Sequence, residues 1–282
     1  GIKLQLGTVE PMASVTYRFA LATVILLIWC RIRRLNMRFS AKEHSFFLLQ
    51  GILLFGLNYL LFYIAELHVT SGLAAVIFST ILVMNMVNGA IFLKSAIDGM
   101  VMFGGLLGLA GIILVFRPEI SSFSLENNGA MGALFCVVAT LFASLGNITS
   151  ARNQKNGLPI IQTNAYGMGY GALIMLLMTL AWGKSFGFEF SPVYIGSLLY
   201  LALFASVIAF GCYLTLVGNI GADRAAYATL LFPIVALIIS TIWEDYQWTA
   251  SSAAGVGLIL LGNLWMLKRR QPARRLSAPT VR

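Results

Sequence analysis

Residues 72–93 read GLAAVIFSTILVMNMVNGAIFL, twenty-two positions without a charge, closed by Lys94. A bilayer core takes roughly 20 apolar residues per helix, so this stretch is a membrane span. Residues 222–243, ADRAAYATLLFPIVALIISTIW, have the same length and stand about 150 positions later. Each of the two is followed by a glycine-rich apolar run, 97–116 and 248–267, and the rest of the chain is read from this doubled pair.

Outward from the pair, five more runs of membrane length appear at about 11–30, 44–66, 129–150, 159–182 and 192–217. Nine runs in 282 residues leave no stretch between helices long enough for a folded soluble domain. The composition agrees: 59% of residues are apolar and 10% charged, where a soluble domain carries about a quarter charged. Such a chain lacks the polar residues to cover itself in water. The fold class is therefore an all-α membrane protein.

The net charge of +9 does not gather on one face, as a nucleic-acid surface requires, but sits in short clusters between apolar runs. With the C-terminus cytoplasmic, fifteen Lys and Arg fall on the cytoplasmic side, among them Arg31–Lys42, Lys94, Arg152, Lys155, Arg224 and the tail 268–282. Three, Lys3, Arg117 and Lys184, fall outside, and Arg18 lies within a helix. Basic residues stay on the cytoplasmic side, so the asymmetry sets the topology, with the N-terminus outside. Cys30, Cys136 and Cys212 lie far apart in apolar runs, which suits packing rather than a disulfide framework or a zinc site.

The two halves match in order. At an offset of about 150, Ala74-Ala75 falls by Ala225-Ala226, Tyr63 by Tyr213 and Lys94 by Glu244. One extra residue in the second loop then sets Gly104 and Gly111 on Gly255 and Gly262. The second unit, 129–267, holds five runs; the first, 1–117, holds four, preceded by Gly1-Ile-Lys-Leu-Gln-Leu-Gly7. A unit of five helices puts its second copy in the opposite orientation, the inverted repeat of many secondary transporters. A ten-helix plan follows, with nine full helices here and a truncated first one. The stretch 268–282 reads as a basic cytoplasmic tail.

Several segments carry a family resemblance. They are Ile2-Lys3 with Tyr17-Arg18-Phe19-Ala20, Ala65-Glu66-Leu67 with Thr70-Ser71-Gly72-Leu73-Ala74, Phe232-Pro233 with Trp243-Glu244, and the glycine-rich helices. In these the chain resembles the EamA-like branch of the drug/metabolite transporter superfamily, along its whole length. The resemblance implies two five-helix repeats around a central cavity. It also implies secondary transport of a small organic metabolite, amino-acid-like or related, by alternating access and in the direction of export. The first repeat departs from the pattern, with Val83 and Lys94 where the second has Pro233 and Glu244.

The residues themselves supply candidates for the cavity. Arg18 stands about two turns into its helix, where an unpaired charge costs at least ~2.5 kcal/mol; it either faces the cavity as an anion-attracting cation or bonds backbone carbonyls. Tyr59, Phe62, Tyr63 and Glu66 fall on one helix face, with Asn58 beside them and Tyr213 at the place of Tyr63 in the other repeat. This stripe is an aromatic wall for a solute or ordinary packing. Asn85 and Asn88 share a face, as do Thr140, Ser144 and Asn147; such groups line a path or bond helix to helix. In 222–243, Tyr227 and Pro233 stand out, because Pro233 frees a carbonyl that membrane proteins tolerate near cavities.

No P-loop spacing is present and H-E-x-x-H does not occur, so ATP-driven transport and a zinc-hydrolase site find no support. A channel, or an enzyme with no recognisable motif, remains the alternative; the chain lacks a filter motif or a charged ring. The expected partners are a small-molecule substrate and the lipid bilayer, with a coupling proton or ion left open and no nucleic acid. The expected state is a monomer or homodimer, with no cofactor and no metal, in a bacterial-type inner membrane.

Overall fold

The computed structural model describes residues 5, 9–121, 129–231, 235 and 248–267. Among these every element is helical: α1 Pro11–Ile32, α2 Ala41–Gln50, a π-helical segment π1 Gly51–Leu57, α3 Asn58–Ala65, α4 Ser71–Ser79, α5 Ile81–Leu93 and α6 Gly99–Val115. After the short α7 Arg117–Ser121 come α8 Gly129–Lys155, α9 Ile160–Ala181, α10 Pro192–Tyr200, π2 Leu201–Ile208 and α11 Ala209–Ile220. The series ends with the short α12 Ala222–Ala225 and α13 Tyr227–Leu230, and α14 Ala250–Leu267. Six continuous helical stretches among the described residues are long and apolar enough to cross a membrane, and 99–115 and 250–265 are shorter apolar helices. Pro233, Glu244 and the basic tail lie outside the described residues.

Burial is distributed as lipid demands. Val24, Leu27 and Ile28 on α1, Leu173, Leu177 and Leu180 on α9, and Leu260, Leu261 and Leu264 on α14 point outward. Arg18, Gln50, Asn58, Asn85, Asn88, Asn147, Asn153 and Asn164 are buried. With no water in the bilayer core, polar groups go inside to find partners. Gln50 donates to Asn164 at 3.2 Å and accepts from Asn153 at 3.1 Å, tying α2, α8 and α9 together.

The pairing of α6 with α14 shows why the repeat is inverted. A Cβ on Gly111 would lie 2.5 Å from the Gly255 carbonyl oxygen, and one on Gly255 would lie 2.5 Å from that of Gly111. Gly104 and Gly262 face each other in the same way, at 3.0 and 2.5 Å. Gly104 is the sequence counterpart of Gly255, and Gly111 of Gly262. Each glycine thus meets the counterpart of the other, which requires antiparallel helices related by a two-fold axis across them. Only glycine permits backbones this close.

Three boundaries differ from the sequence reading. The 72–93 run is bent: α4 ends at Ser79, α5 begins at Ile81, and the Thr80 hydroxyl between them bonds the Ile77 carbonyl at 2.6 Å. Helix α8 runs on to Lys155 because its last turn is polar and basic, which suits a C-terminal dipole in the headgroup region. Gly157, at φ +78°, and Pro159 then end it. The runs through 51–57 and 201–208 hold π turns at matching places, 150 residues apart. A π turn lies between hydrogen-bond registers and commonly marks a functional site.

Candidate functional site

A cavity of about 430 Å³ lies inside the bundle, within the range that encloses small ligands. Its wall is formed mainly by the residues that follow or belong to the two π segments. Asn58, Tyr59, Phe62 and Glu66 come from the helix after π1; Ala205, Ala209, Phe210 and Tyr213 come from π2 and α11. Arg18 of α1, Phe78 and Ile81 flanking the Thr80 bend, Ala143 and Asn147 of α8, and Thr229 of α13 complete most of the rest. The wall is overwhelmingly aromatic and aliphatic, with few polar groups.

Arg18 is 2% exposed. Its Nε donates to Ser206 Oγ at 2.9 Å, and the Ser206 hydroxyl donates in turn to the Leu201 carbonyl at 2.9 Å. A serine in an α-helix bonds three or four residues back; here the π register sets the acceptor five residues back. The guanidinium carbon lies 4.4 Å from the centroid of the Tyr59 ring and 5.2 Å from that of Phe19. A desolvated cation over an aromatic face gains about 2 kcal/mol. The Ser206 hydroxyl and the Tyr59 and Phe19 rings thus help to hold the buried charge.

Asn58 and Asn147 supply groups of the opposite polarity. Asn58 Nδ2 donates to its own helix at the Leu54 carbonyl, 3.2 Å away, and Asn147 Nδ2 donates to Tyr213 Oη at 3.1 Å. Each then leaves its Oδ1 buried with no hydrogen-bond partner among the described residues. A buried acceptor left unpaired costs about 1–3 kcal/mol. Both residues line the cavity, so a side-chain turn that brought either oxygen to its surface would let an arriving donor recover that cost.

Of the residues singled out by sequence, Arg18, Asn58, Tyr59, Asn147 and Tyr213 come together around this cavity. Four others lie outside its lining. Tyr63 is buried and donates to Gln5 Oε1 at 2.8 Å, and Asn88 donates to Ser144 Oγ at 2.9 Å, joining α5 to α8. Asn85 donates to the Ala222 carbonyl at 3.0 Å, and the Tyr227 hydroxyl bonds the Val101 carbonyl. Pro233 lies outside the described residues. Sequence reasoning missed Ser206 and Phe210, although Ser206, Phe210 and Tyr213 stand at i, i+4 and i+7, one helix face.

No group of three or more His, Cys, Asp or Glu that could hold a metal occurs among the described residues. What the site offers is an aromatic pocket with the Arg18 cation and two buried, unpartnered amide oxygens in its wall.

An inverted repeat of membrane-length apolar helices with a pocket among them fits one class: a multi-pass integral membrane transporter. Comparison with known proteins gives the family. The model of the EamA-like transporter family matches residues 1–117 and again 130–268, and the chain belongs to that family. It is 24% identical to an uncharacterized transporter of Archaeoglobus fulgidus, over 95% of this chain and 93% of that one. Similarity to the uncharacterized transporter YoaV of Bacillus subtilis is also 24%, covering 96% and 92%. Protein PagO of Salmonella typhimurium is 26% identical over 87% and 78%. One solved crystal structure superimposes with a TM-score of 0.77 at 13% identity, covering 96% of this chain and 93% of that one; it shares the fold.

Proposed function

We propose that this protein is a secondary exporter of a small, amino-acid-like metabolite that carries both an anionic group and hydrogen-bond donors. The observation that carries the reading is the pairing, in one cavity, of the Arg18 cation with the unpartnered Oδ1 atoms of Asn58 and Asn147. A carboxylate placed against Arg18 makes a charge-assisted bond in a site with little water to compete. An ammonium, hydroxyl or amide group of the same solute satisfies the two amide oxygens. Tyr59, Phe62, Phe78 and Phe210 enclose the solute's apolar body.

Alternating access follows from two repeats, 1–117 and 129–267, rocking around a fixed site. The bend at Thr80 and the two π turns lie on the cavity wall, where such motion needs deformable helices. The C-terminus and its tail, 268–282, are placed in the cytoplasm by the distribution of Lys and Arg, in a bacterial-type inner membrane. The test is counterflow. Proteoliposomes loaded with an unlabelled amino-acid mixture should accumulate the labelled mixture saturably. A flux that rises linearly with concentration would indicate a channel, and no flux at all would remove the proposed substrate class.

A further inference from the structure

The cavity's lining runs along the bundle from Glu66 and Ala74, beside the α3–α4 turn, to Asn147, Tyr213 and Thr229 near its middle. Beyond these, toward the Arg- and Lys-rich face, come successive polar contacts, the first within the second repeat and the rest joining the two repeats. Gln154, two turns past Asn147, donates to the Leu214 carbonyl at 2.8 Å, and its side chain fills the space left by Gly218. Asn85 donates to the Ala222 carbonyl at 3.0 Å, and the Tyr227 hydroxyl bonds the Val101 carbonyl. Outermost in this series, Arg224 Nη2 of α12 meets Asp98 Oδ2 at the start of α6, 3.4 Å apart.

We propose that the Asp98–Arg224 ion pair is the latch that closes the transport cavity toward the basic face of the membrane. The proposal rests on the reading of the cavity as a transport site. Three features suit the pair to this role. The first is its seat. Asp98 caps α6, accepting from the Met100 N–H at 3.0 Å, and its charge is favoured by the helix N-terminus. It is therefore the fixed half of the pair.

The second feature is the hinge beside Arg224. Gly221, just before α12, has φ +94°, a conformation that glycine alone adopts cheaply. Helix α12 is four residues long and is separated from α13 by Ala226. Arg224 therefore rides on a short element with a break at each end. The third feature is partial burial. The side chains are 24% and 14% exposed, so water can take over the charges when the pair parts. The neutral donors of Asn85, Gln154 and Tyr227 face carbonyls in the interior instead. At the opposite face Glu10 and Lys184 also join the repeats, at 3.6 Å but 34% and 49% exposed, where an ion pair contributes little.

The experiment reads access to the cavity and needs no substrate. The reporter is Thr229→Cys at the cavity floor, in a background carrying Cys30→Ala, Cys136→Ala and Cys212→Ser. Vesicles of each orientation are treated with a membrane-impermeant thiol reagent, with and without Asp98→Asn or Arg224→Gln. Asn keeps the capping acceptor and removes only the charge. Each single change should raise labelling from the basic face about three- to tenfold, the range opened by losing a partly buried pair. The double change should add nothing to either one, and Glu10→Gln should leave that rate as it was. Unchanged labelling in the single variants, or additive effects in the double, would overturn the latch.

A second measurement covers the case in which the neutral variants do not fold. Asp98→Cys with Arg224→Cys, bridged by a short bifunctional thiol reagent, should abolish labelling from the basic face, and cleaving the bridge should restore it. A bridged protein that still labels at the unbridged rate also overturns the proposal. If labelling behaves as expected but no amino acid exchanges, the latch stands and the substrate reading falls. If exchange proceeds but labelling never responds, the latch falls alone.

Discussion

Replacing Arg18 by leucine separates a transport role from a structural one, because the local contacts nearly cancel in stability. The cation contributes a charged hydrogen bond to Ser206 at 2.9 Å, worth about 1.5–3 kcal/mol, and about 2 kcal/mol over the Tyr59 ring. Against this stands the cost of a guanidinium inside the bilayer, about 2.5–3.5 kcal/mol on an insertion scale. Ser206 loses a donor but keeps its own bond to the Leu201 carbonyl. The sum runs from near zero to about 2.5 kcal/mol of destabilisation, at most several degrees in melting temperature.

For a bound carboxylate there is no such cancellation. Removing the charged partner costs 2 kcal/mol or more, so KM should rise by at least about 30-fold. Melting in detergent and counterflow of labelled amino acids, measured side by side on Arg18→Leu, give the answer. Melting near that of the parent with exchange abolished supports the site. A collapse in melting temperature would make Arg18 a structural residue, and a stable variant exchanging at the parent rate would leave the cation without a role.

Three further outcomes follow from the geometry. Tyr213→Phe removes the acceptor that orients Asn147, and should raise KM several-fold while melting shifts by only about a degree or two; an unchanged KM would exclude Asn147 from the site. Gly111→Ala must push a methyl into the Gly255 carbonyl, so α6 and α14 must separate, lowering stability by about 1–3 kcal/mol. A melting temperature equal to that of the parent would contradict the close packing. A reporter enzyme active only outside the cytoplasm, fused after Arg282, should stay inactive; strong activity would reverse the topology drawn from Lys and Arg.

The frame was readable because lipid imposes a coarse rule. Twenty apolar residues make a span, and the Gly104, Gly111, Gly255 and Gly262 register survives as a pattern because only glycine fits its contacts. The cavity was read less completely. The Tyr59 stripe and Asn147 came from helical periodicity, yet the same periodicity selected Asn85, Asn88 and Tyr63, which the structure ties to Ala222, Ser144 and Gln5. An amide inside a bilayer looks alike in sequence whether it meets a solute or a neighbouring helix. Ser206 was missed for a different reason: its reach to Leu201 depends on a π turn, and LALFASVI at 201–208 carries no residue that announces one.

The asymmetry between the repeats bears most directly on the solute. Duplication supplies π turns at 51–57 and 201–208 and tyrosines at 63 and 213, but the groups that hold the cation occur once. The counterpart of Ser206 is Gly56, which has no hydroxyl, and the place of Arg18 in α9 falls at Gly167 and Met168. A symmetric pair of cations in one 430 Å³ chamber would repel each other and double the desolvation cost. With the cation on α1, and two unpartnered amide oxygens on α3 and α8, the chamber has a polarity that its frame lacks. On the proposed transport reading, a solute with one charged end would enter it in one orientation. On that reading, the inverted repeat would let the walls exchange roles as they move, while the Arg18–Ser206 pair would keep the solute's direction fixed.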